Sequence, residues 1–286
     1  MKLIADSGNT KTEWCMEQQG KVCGVVRTQG INPFHQDDAA ITDVLVRELL
    51  PQMKENRFES VHFYGSGVTP EMKVRVGRLL SSALNAYLEE ADGSASNVEV
   101  ESDLTGAARS LFGREEGIAC ILGTGSNSGV YDGHRMTDHT PALGYILGDE
   151  GSGADLGKTL VNRILKRQLP DDVCTLFIQE TGLTEAAVTD RVYRQPNGGR
   201  FLASLTPFIS RHMEEYDDLR YIVRDRFREF FHCNLEPYHH HNLRVRAIGS
   251  IAYVFQEELM RTARDEGFLL DVVSQTPMEG LVRYHG

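Results

Sequence analysis

The sequence lacks the features that mark membrane and secreted proteins. It has no apolar run long enough to span a bilayer, and no basic segment, apolar segment and cleavage site follow one another as in a signal peptide. It also lacks a Cys-x-x-Cys pair. Its five cysteines are scattered, so disulfides and a zinc or iron–sulfur site are not expected. These absences favour a cytoplasmic protein.

Positive charge is also scarce. The 286 residues include 30 Lys and Arg against 41 Asp and Glu, a formal net charge of -11. Such an acidic chain without a basic run is poorly suited to bind nucleic acid or an anionic membrane. The composition, 41% hydrophobic and 25% charged, is typical of a globular protein with room for two domains. We therefore expect a small-molecule substrate, and neither a nucleic-acid partner nor a membrane.

Two glycine-rich turns follow short apolar runs. The first spans residues 6–12 and the second residues 123–127. Glycine lets backbone N–H groups point at an anion, and the neighbouring Thr, Ser and Asn side chains add donors. A third segment, 144–153, carries two adjacent acids, Asp149 and Glu150. Together these segments predict a nucleotide phosphate chain held from two sides.

The order of strand, glycine-rich turn and strand occurs twice. It begins at residue 2 and again at residue 118, and each copy is followed by further strands and helical patterns. We interpret the repetition as two related domains, 1–112 and 113–276. The C-terminal tail, 277–286, is expected to pack back on the first domain. The patterns also predict helices over 39–53 and 251–265.

Two segments nearly match other nucleotide-binding motifs. Residues 123–129 read G-x-G-x-x-x-G, one residue longer than the dinucleotide fingerprint, and precede a strand where that fold needs a helix. Residues 152–159 are close to a P-loop, but Ser152 stands in place of the first glycine. The acids just before it would repel a phosphate unless a metal intervened. The P-loop stays open as an alternative nucleotide site.

Two aspartates are candidates for the chemistry. Asp6 ends the first strand, where its carboxylate can hold Mg²⁺, directly or through water, or can shape the hairpin as an Asx turn. Asp103 stands between a predicted strand and a predicted helix. It can cap that helix, or it can be a general base for a hydroxyl that attacks a γ-phosphate. Lys11 can reach a phosphate or stay solvated. Spacing alone does not choose between these roles.

In order and spacing, these motifs resemble the N-acetylglucosamine kinases of the BadF/BadG/BcrA/BcrD ATPase family, within the sugar kinase/Hsp70/actin superfamily. The resemblance covers nearly the whole chain. It rests most on the pairing of Gly-Thr-Gly-Ser-Asn at 123–127 with Gly-Asp-Glu-Gly-Ser at 148–152. Weaker support comes from Asp-x-Gly-x-Thr-Lys-Thr at 6–12, Gly-Ile-Asn-Pro at 30–33 and Gly-Ser at 249–250.

The resemblance implies an α/β fold of two RNase H-like domains, as in actin-like ATPases, flanking a nucleotide and sugar cleft. It implies a homodimer that uses ATP and Mg²⁺ to phosphorylate the 6-hydroxyl of N-acetylglucosamine. Asp103 would be the general base, and Asp6 would hold Mg²⁺ through water. The nucleotide would be bound by Asp6, Gly8, Asn9, Thr10, Lys11, Gly123, Thr124, Gly125, Gly249 and Ser250. The sugar would be bound by Asn32, Ser66, Asp103, Ser126, Asn127, Gly144, Tyr145 and Asp149.

Two departures from the family pattern keep alternatives open. Leu143 stands where better-known members carry a tryptophan, which leaves another amino sugar, such as N-acetylmuramic acid, as a candidate substrate. Many relatives have a Gly-Gly pair in the adenosine motif, whereas this chain has Gly249 and Ser250, so the nucleotide preference is open. A non-catalytic sugar sensor on the same fold is the third alternative.

Overall fold

Two compact units make up the described part of the chain. The computed structural model describes residues 1–53, 57–90, 94–95 and 97–286. One unit is formed by residues 1–115 and 277–286, and the other by residues 116–276. Within the described residues, no helix is both long enough and apolar enough to cross a membrane.

The first unit is built on one five-stranded sheet. The strands of the unit are β1 (Lys2–Ser7), β2 (Lys11–Gln18), β3 (Lys21–Gln29), β4 (Arg57–Phe58), β5 (Ser60–Gly65), β6 (Ser94–Ala95) and β7 (Val98–Ser102). The helices of the unit include α1 (Asp38–Asp43), α2 (Pro70–Glu90) and α3 (Asp103–Phe112). The sheet order is β3-β2-β1-β5-β7. Strands β1 to β3 are antiparallel, whereas β5 and β7 run parallel to β1. Strands β4 and β6 form a separate parallel pair.

The second unit repeats this plan and adds helices. Its strands are β8 (Gly117–Leu122), β9 (Ser126–Tyr131), β10 (Met136–Asp138), β11 (Arg244–Ile248) and β12 (Leu269–Ser274). Its helices are α4 (Gly144–Leu147), α5 (Gly153–Leu165), α6 (Asp171–Thr181), α7 (Glu185–Tyr193), α8 (Gly198–Ala203), α9 (Thr206–His212), α10 (Asp217–Phe230), α11 (Ser250–Val254) and α12 (Gln256–Asp265). The sheet order is β10-β9-β8-β11-β12, again with three antiparallel strands followed by two parallel ones. This confirms the predicted α/β fold class with two related sheets.

The last helix, α13 (Met278–His285), belongs to the first unit. It lies against α3 and β1. Alternate residues of β1 point to opposite faces of the sheet. Leu3 and Ala5 join the large core of this unit, whereas Ile4 packs with Met278 and Leu281 of α13. The final helix therefore covers a sheet face that would otherwise expose apolar side chains.

Two predicted helices differ from the structure in their interior. The helix predicted over 39–53 begins as α1, continues as a π-helical turn (Val44–Leu49) and ends as a 3₁₀ turn (Leu50–Gln52) that contains Pro51. Proline lacks the N–H that would continue the helix. The helix predicted over 251–265 is divided into α11 and α12 at Phe255, whose side chain is buried in the core.

A partly buried polar cluster fixes the end of α13 to the sheet. Arg109 of α3 donates hydrogen bonds to Glu99 and to the Tyr64 hydroxyl, each of 2.8 Å. That hydroxyl lies 2.7 Å from Nε2 of His285, and the His285 ring stacks on His62 at 3.8 Å. Because Tyr64 accepts from Arg109, its own proton is available to the ring nitrogen of His285. The arrangement favours neutral histidine.

Burial, followed by the nearby His62, Arg109 and Lys2, lowers the pKa of His285 from 6.5 to about 3, against the opposing effect of Glu99. A histidine that is harder to protonate when folded stabilises the fold above its unfolded pKa. This contribution is lost as the pH falls from 6.5 toward 3. The pKa of Glu99 is lowered to about 2, chiefly by its hydrogen bond with His62, and adds a similar loss at more acidic pH.

We predict that His285→Asn flattens the pH dependence of stability. Between pH 6.5 and 5 the wild-type protein should lose about 2 kcal/mol through this histidine, which the variant would not lose. Urea unfolding followed by the fluorescence of Trp14, the only tryptophan in the sequence, measures this in the first unit. Replacing the exposed His134 by asparagine is the control. Equal slopes for all three proteins would contradict the expectation.

Candidate functional site

The first glycine-rich turn joins β1 to β2. The N–H of Gly8 donates to the carbonyl of Lys11 at 3.0 Å, so the backbone itself closes the hairpin without an Asx turn. Gly30 lies beneath the turn, where its N–H donates to the Thr10 carbonyl at 3.1 Å. A Cβ on Gly30 would lie 2.2 Å from the Gly8 carbonyl oxygen, so only glycine fits. Asn9, Thr10 and Lys11 are exposed on this supported turn, in positions suited to a ligand.

Asn32 links this turn to the loop after β5. Its side-chain amide donates to Oδ1 of Asn9, and its own Oδ1 accepts from the N–H of Phe34 at 2.9 Å. Gly67 in that loop has a φ of +73° and passes so close to Asn32 that a Cβ on Gly67 would lie 2.1 Å from this Oδ1. Next to Gly67, Ser66 donates from its hydroxyl to Asp103 at 2.7 Å. Three predicted sugar-binding residues, Asn32, Ser66 and Asp103, thus lie along one connected surface.

Asp103 is the first residue of α3, but it is not the helix cap. Ser102 has the extended backbone of an N-cap, and its hydroxyl accepts from the N–H of Thr105 at 3.2 Å. One oxygen of Asp103 accepts from the N–H of Leu104 at 2.8 Å, and the other from Ser66. Burial raises the pKa of Asp103 despite these hydrogen bonds, which favour the ionised form. The capping alternative is therefore wrong, and the carboxylate is left for another role.

Asp6 lies near two other carboxylates. Burial, followed by the negative charges of Asp103 and Glu13, raises its pKa to about 7 against the opposing positive charge of Lys11. Such uncompensated negative charge suits a divalent cation. Within the described residues, no three carboxylate, imidazole or thiol side chains converge on one point. The negative charge around Asp6 fits a divalent cation such as Mg²⁺.

The second glycine-rich turn, between β8 and β9, lies against the start of α5. The N–H groups of Gly153 and Ala154 donate to the carbonyls of Gly123 and Thr124 at 2.8 and 3.0 Å. A P-loop would need those N–H groups for phosphate. Lys158 lies within the helix and contacts Asp155 at 3.3 Å. Residues 152–159 therefore do not form a P-loop.

Asp149 packs directly on this turn. Its Oδ1 accepts from the N–H of Ser126 at 3.1 Å, and a Cβ on Gly125 would lie 2.9 Å from its other oxygen. Asp149 has a φ of +57°, in the left-handed region that few residues other than glycine adopt. Burial and the charge of Glu150 raise its pKa to about 6, against the opposing hydrogen bond from Ser126. The structure thus brings together the predicted residues Ser126 and Asp149.

The structure also gives the places of the other predicted sugar-binding residues of the second unit. Asn127 accepts from the N–H of Ser128 through its side-chain oxygen at 3.0 Å. Gly144 begins the one-turn helix α4 with a φ of +72°. The ring of Tyr145 contacts Gly198 and Gly199 at the start of α8. Tyr145 therefore packs against α8, and its backbone carbonyl accepts from Lys158 at 3.4 Å.

A pocket of about 240 Å³ adjoins the second turn. Its walls include Gly123, Thr124 and Ser250, three predicted nucleotide-binding residues. Gly249, just before the pocket, has a φ of +125° and a ψ of 164°, and a Cβ there would lie 2.2 Å from the Leu122 carbonyl oxygen. This backbone conformation is essentially restricted to glycine. The position of Ser250 thus depends on Gly249.

Helix α8 and the residues after it supply a pocket wall that the sequence did not reveal. Its members are Arg200, Ala203, Ser204 and Thr206. They belong to no recognisable motif. The wall is in place because Gly157 of α5 lets α8 approach closely: a Cβ on Gly157 would lie 1.9 Å from the Leu202 carbonyl oxygen.

Full-length similarity to a solved structure decides the family. A protein from Porphyromonas gingivalis, named as a putative N-acetylglucosamine kinase, is 43% identical over 100% of this chain and 98% of its own, with a TM-score of 0.92. The chain belongs to the N-acetylglucosamine kinase family. The resemblance inferred from the motifs is thus confirmed.

More distant solved structures share the fold. A kinase of the same name from Chromobacterium violaceum is 16% identical, with a TM-score of 0.74 over 100% of this chain and 98% of its own. A ROK-family glucokinase from Streptomyces griseus, solved with glucose and AMPPNP, is 14% identical, with a TM-score of 0.52 over 99% and 97%. At these identities the likeness shows the two-domain actin-like ATPase fold alone. No protein-family model and no curated protein matches the sequence.

We predict that Gly249→Ala destabilises the second unit. The added Cβ must displace the Leu122 carbonyl, and the backbone leaves its preferred region, so the expected loss is about 2 kcal/mol or more. Thermal unfolding compares this variant with Gly77→Ala, a control in α2 where the new Cβ would meet only an ordinary contact at 3.7 Å. An unchanged melting temperature for Gly249→Ala would show that this close approach is not required.

Proposed function

We propose that this protein is an ATP-dependent kinase that phosphorylates the 6-hydroxyl of N-acetylglucosamine. The observation that carries the proposal is the connected surface of Asn32, Ser66 and Asp103 beside the first glycine-rich turn. It offers amide and hydroxyl groups for a sugar next to a carboxylate that can take a proton. Similarity to the Porphyromonas gingivalis protein, 43% identical over the whole chain, supports the choice of sugar.

Asp103 is the proposed general base. Hydrogen bonds from Ser66 and from the N–H of Leu104 orient its carboxylate. As the sugar oxygen attacks the γ-phosphorus of ATP, Asp103 takes the hydroxyl proton, the bond to the β–γ bridging oxygen breaks and ADP leaves. Its raised pKa makes it a stronger base than an ordinary aspartate. A base of this kind contributes about 10²–10⁴-fold to the rate.

Each glycine-rich turn has its own proposed role toward phosphate. In the first unit, Thr10 and Lys11 would offer donors to phosphate oxygens. In the second unit, Thr124 would do so, an electrostatic role that needs no covalent chemistry. Asp6 would hold Mg²⁺, which supplies charge neutralisation at the phosphates. The nucleoside would occupy the pocket lined by Thr124, Ser250 and Arg200. The glucokinase from Streptomyces griseus, solved with AMPPNP, has this fold.

Three further expectations from the family accompany the proposal. The sugar site would also include Asn127, Gly144 and Tyr145. The protein would be a homodimer, and it would act in the cytoplasm. Sedimentation or light scattering at several protein concentrations would measure the oligomeric state directly.

We predict sugar-dependent ADP release with Mg-ATP for N-acetylglucosamine, tested beside N-acetylmuramic acid, N-acetylmannosamine, glucosamine and glucose. Asp103→Asn should lose about 10²-fold or more of kcat, because the amide cannot accept the proton, while ATP binding and thermal stability are retained. The exposed Asp218→Asn in α10 is the matched control. Full activity of Asp103→Asn would show that Asp103 is not the general base. Sugar binding without turnover in the wild-type protein would favour a sensor.

Sugar binding should weaken below pH 6. Asp149 accepts strong, charge-assisted hydrogen bonds from sugar hydroxyls through both oxygens when it is ionised, protonation weakens this acceptor, and its pKa is raised to about 6. In calorimetry without nucleotide, the Kd for the sugar should therefore rise as the pH falls through 6, toward about tenfold per unit. Asp149→Asn should bind weakly with no such dependence. A flat pH profile for the wild-type protein from 7.5 to 5 would exclude Asp149 from sugar binding.

A further inference from the structure

Residues 140–150 form an irregular segment that carries three of the proposed sugar-binding residues, Gly144, Tyr145 and Asp149. Its backbone is left-handed at Leu143, Gly144 and Asp149, with φ values of 61°, 72° and 57°. Non-glycine residues adopt this region only when their surroundings hold them there. Within the segment, the N–H of Asp149 donates to the Ala142 carbonyl at 3.0 Å. The two ends of the segment are held by hydrogen bonds to residues outside it.

Both ends are hydrogen-bonded to the same stretch of chain, residues 231–238. At the first end, Thr140 donates from its hydroxyl to the Asn234 carbonyl at 2.9 Å and from its N–H to the Tyr238 hydroxyl at 2.8 Å. At the other end, the side-chain amide of Asn234 donates to Oε2 of Glu150 at 3.2 Å. A single residue, Asn234, therefore contacts both ends through different groups.

The residues of this stretch that contact residues 140–150, Asn234 and Tyr238, are buried and belong to a connected polar network. Asn234 is 3% exposed, and Ser128 of β9 is fully buried. The Ser128 hydroxyl donates to the Asn234 carbonyl at 3.2 Å and lies 2.8 Å from the Tyr238 hydroxyl. Buried polar networks of this kind impose one geometry, because an unmatched group is costly away from water. Asn234 also lies in a π-helical turn (Phe231–Leu235), a rare form that often occurs at functional sites.

We propose that Asn234, assisted by Tyr238, is a positioning residue for sugar binding: it fixes residues 140–150 so that Asp149 keeps its place on the second glycine-rich turn. This inference rests on the proposed function of Asp149. Asn234 acts through Glu150, the neighbour of Asp149. Moving Glu150 would shift the left-handed Asp149 and its hydrogen bond to Ser126. Asn234 itself needs no contact with the sugar.

An amide–carboxylate exchange tests the proposal. Asn234→Asp places a second carboxylate against Glu150, so we expect the Kd for N-acetylglucosamine, measured by calorimetry without nucleotide, to rise about tenfold or more. The KM for ATP should change less than about twofold, since the pocket beside Ser250 is untouched. Adding Glu150→Gln restores the pair, because the new amide donates to the new carboxylate. The double variant should bind within about threefold of Glu150→Gln alone.

Two further variants keep the test interpretable. Asn242→Asp, at an exposed asparagine, is the control for the added charge. Tyr238→Phe keeps the ring but loses the hydroxyl that holds Thr140 and Ser128, and it serves if Asn234→Asp does not fold. Unchanged sugar affinity in both Asn234→Asp and Tyr238→Phe would overturn the proposal. So would a parallel loss of sugar and ATP binding without rescue in the double variant, which indicates a general structural role.

Amide hydrogen exchange separates this inference from the proposed function. Exchange in residues 140–150 should be faster in Asn234→Asp and return to the wild-type rate in the double variant. If the wild-type protein binds none of the sugars, the proposed function fails, and the exchange rates still decide whether Asn234 positions the segment. Unchanged exchange in Asn234→Asp would overturn the positioning role whatever the sugar affinity.

Discussion

In each unit, two backbone segments pass so close to one another that no side chain fits between them. These close contacts set the position of both glycine-rich turns. In the first unit, a Cβ on Gly30 would lie 2.2 Å from the Gly8 carbonyl oxygen, so the turn rests directly on the chain after β3. In the second unit, a Cβ on Gly249 would lie 2.2 Å from the Leu122 carbonyl oxygen. Each turn is thus held from below by main chain, which leaves its outer side for a ligand. The side chains of the proposed site depend on these supports.

Uncompensated negative charge is the second constraint. In the first unit, burial and then the charges of Asp103 and Glu13 raise the cost of ionising Asp6, and in the second unit burial and then the charge of Glu150 do so for Asp149. Keeping acids together in partly buried places costs stability, and such arrangements concentrate at functional sites. A bound cation, or hydrogen bonds from sugar hydroxyls, would lower this cost in stability. This is consistent with the roles proposed for Asp6 and Asp149.

The sequence was sufficient to predict the strands that carry the turns, because apolar runs ending in glycine have few alternatives. It could not decide the role of Asp103, since Ser102 and Asp103 are both good capping residues and only the structure shows which one caps α3. Nor could it reveal the pocket wall that includes Arg200. That wall depends on the contact between Gly157 and Leu202, 45 positions apart in the sequence. The packing of Tyr145 on α8 was hidden for the same reason.

The central claim is most directly tested by identifying the reaction product. We would incubate the protein with Mg-ATP and N-acetylglucosamine labelled with ¹³C, and record carbon and phosphorus NMR spectra. A phosphorus–carbon coupling at C6, with one ADP formed per sugar consumed, is the result that the account predicts. Coupling at C1, or ADP formed without any phosphorylated sugar, would contradict it.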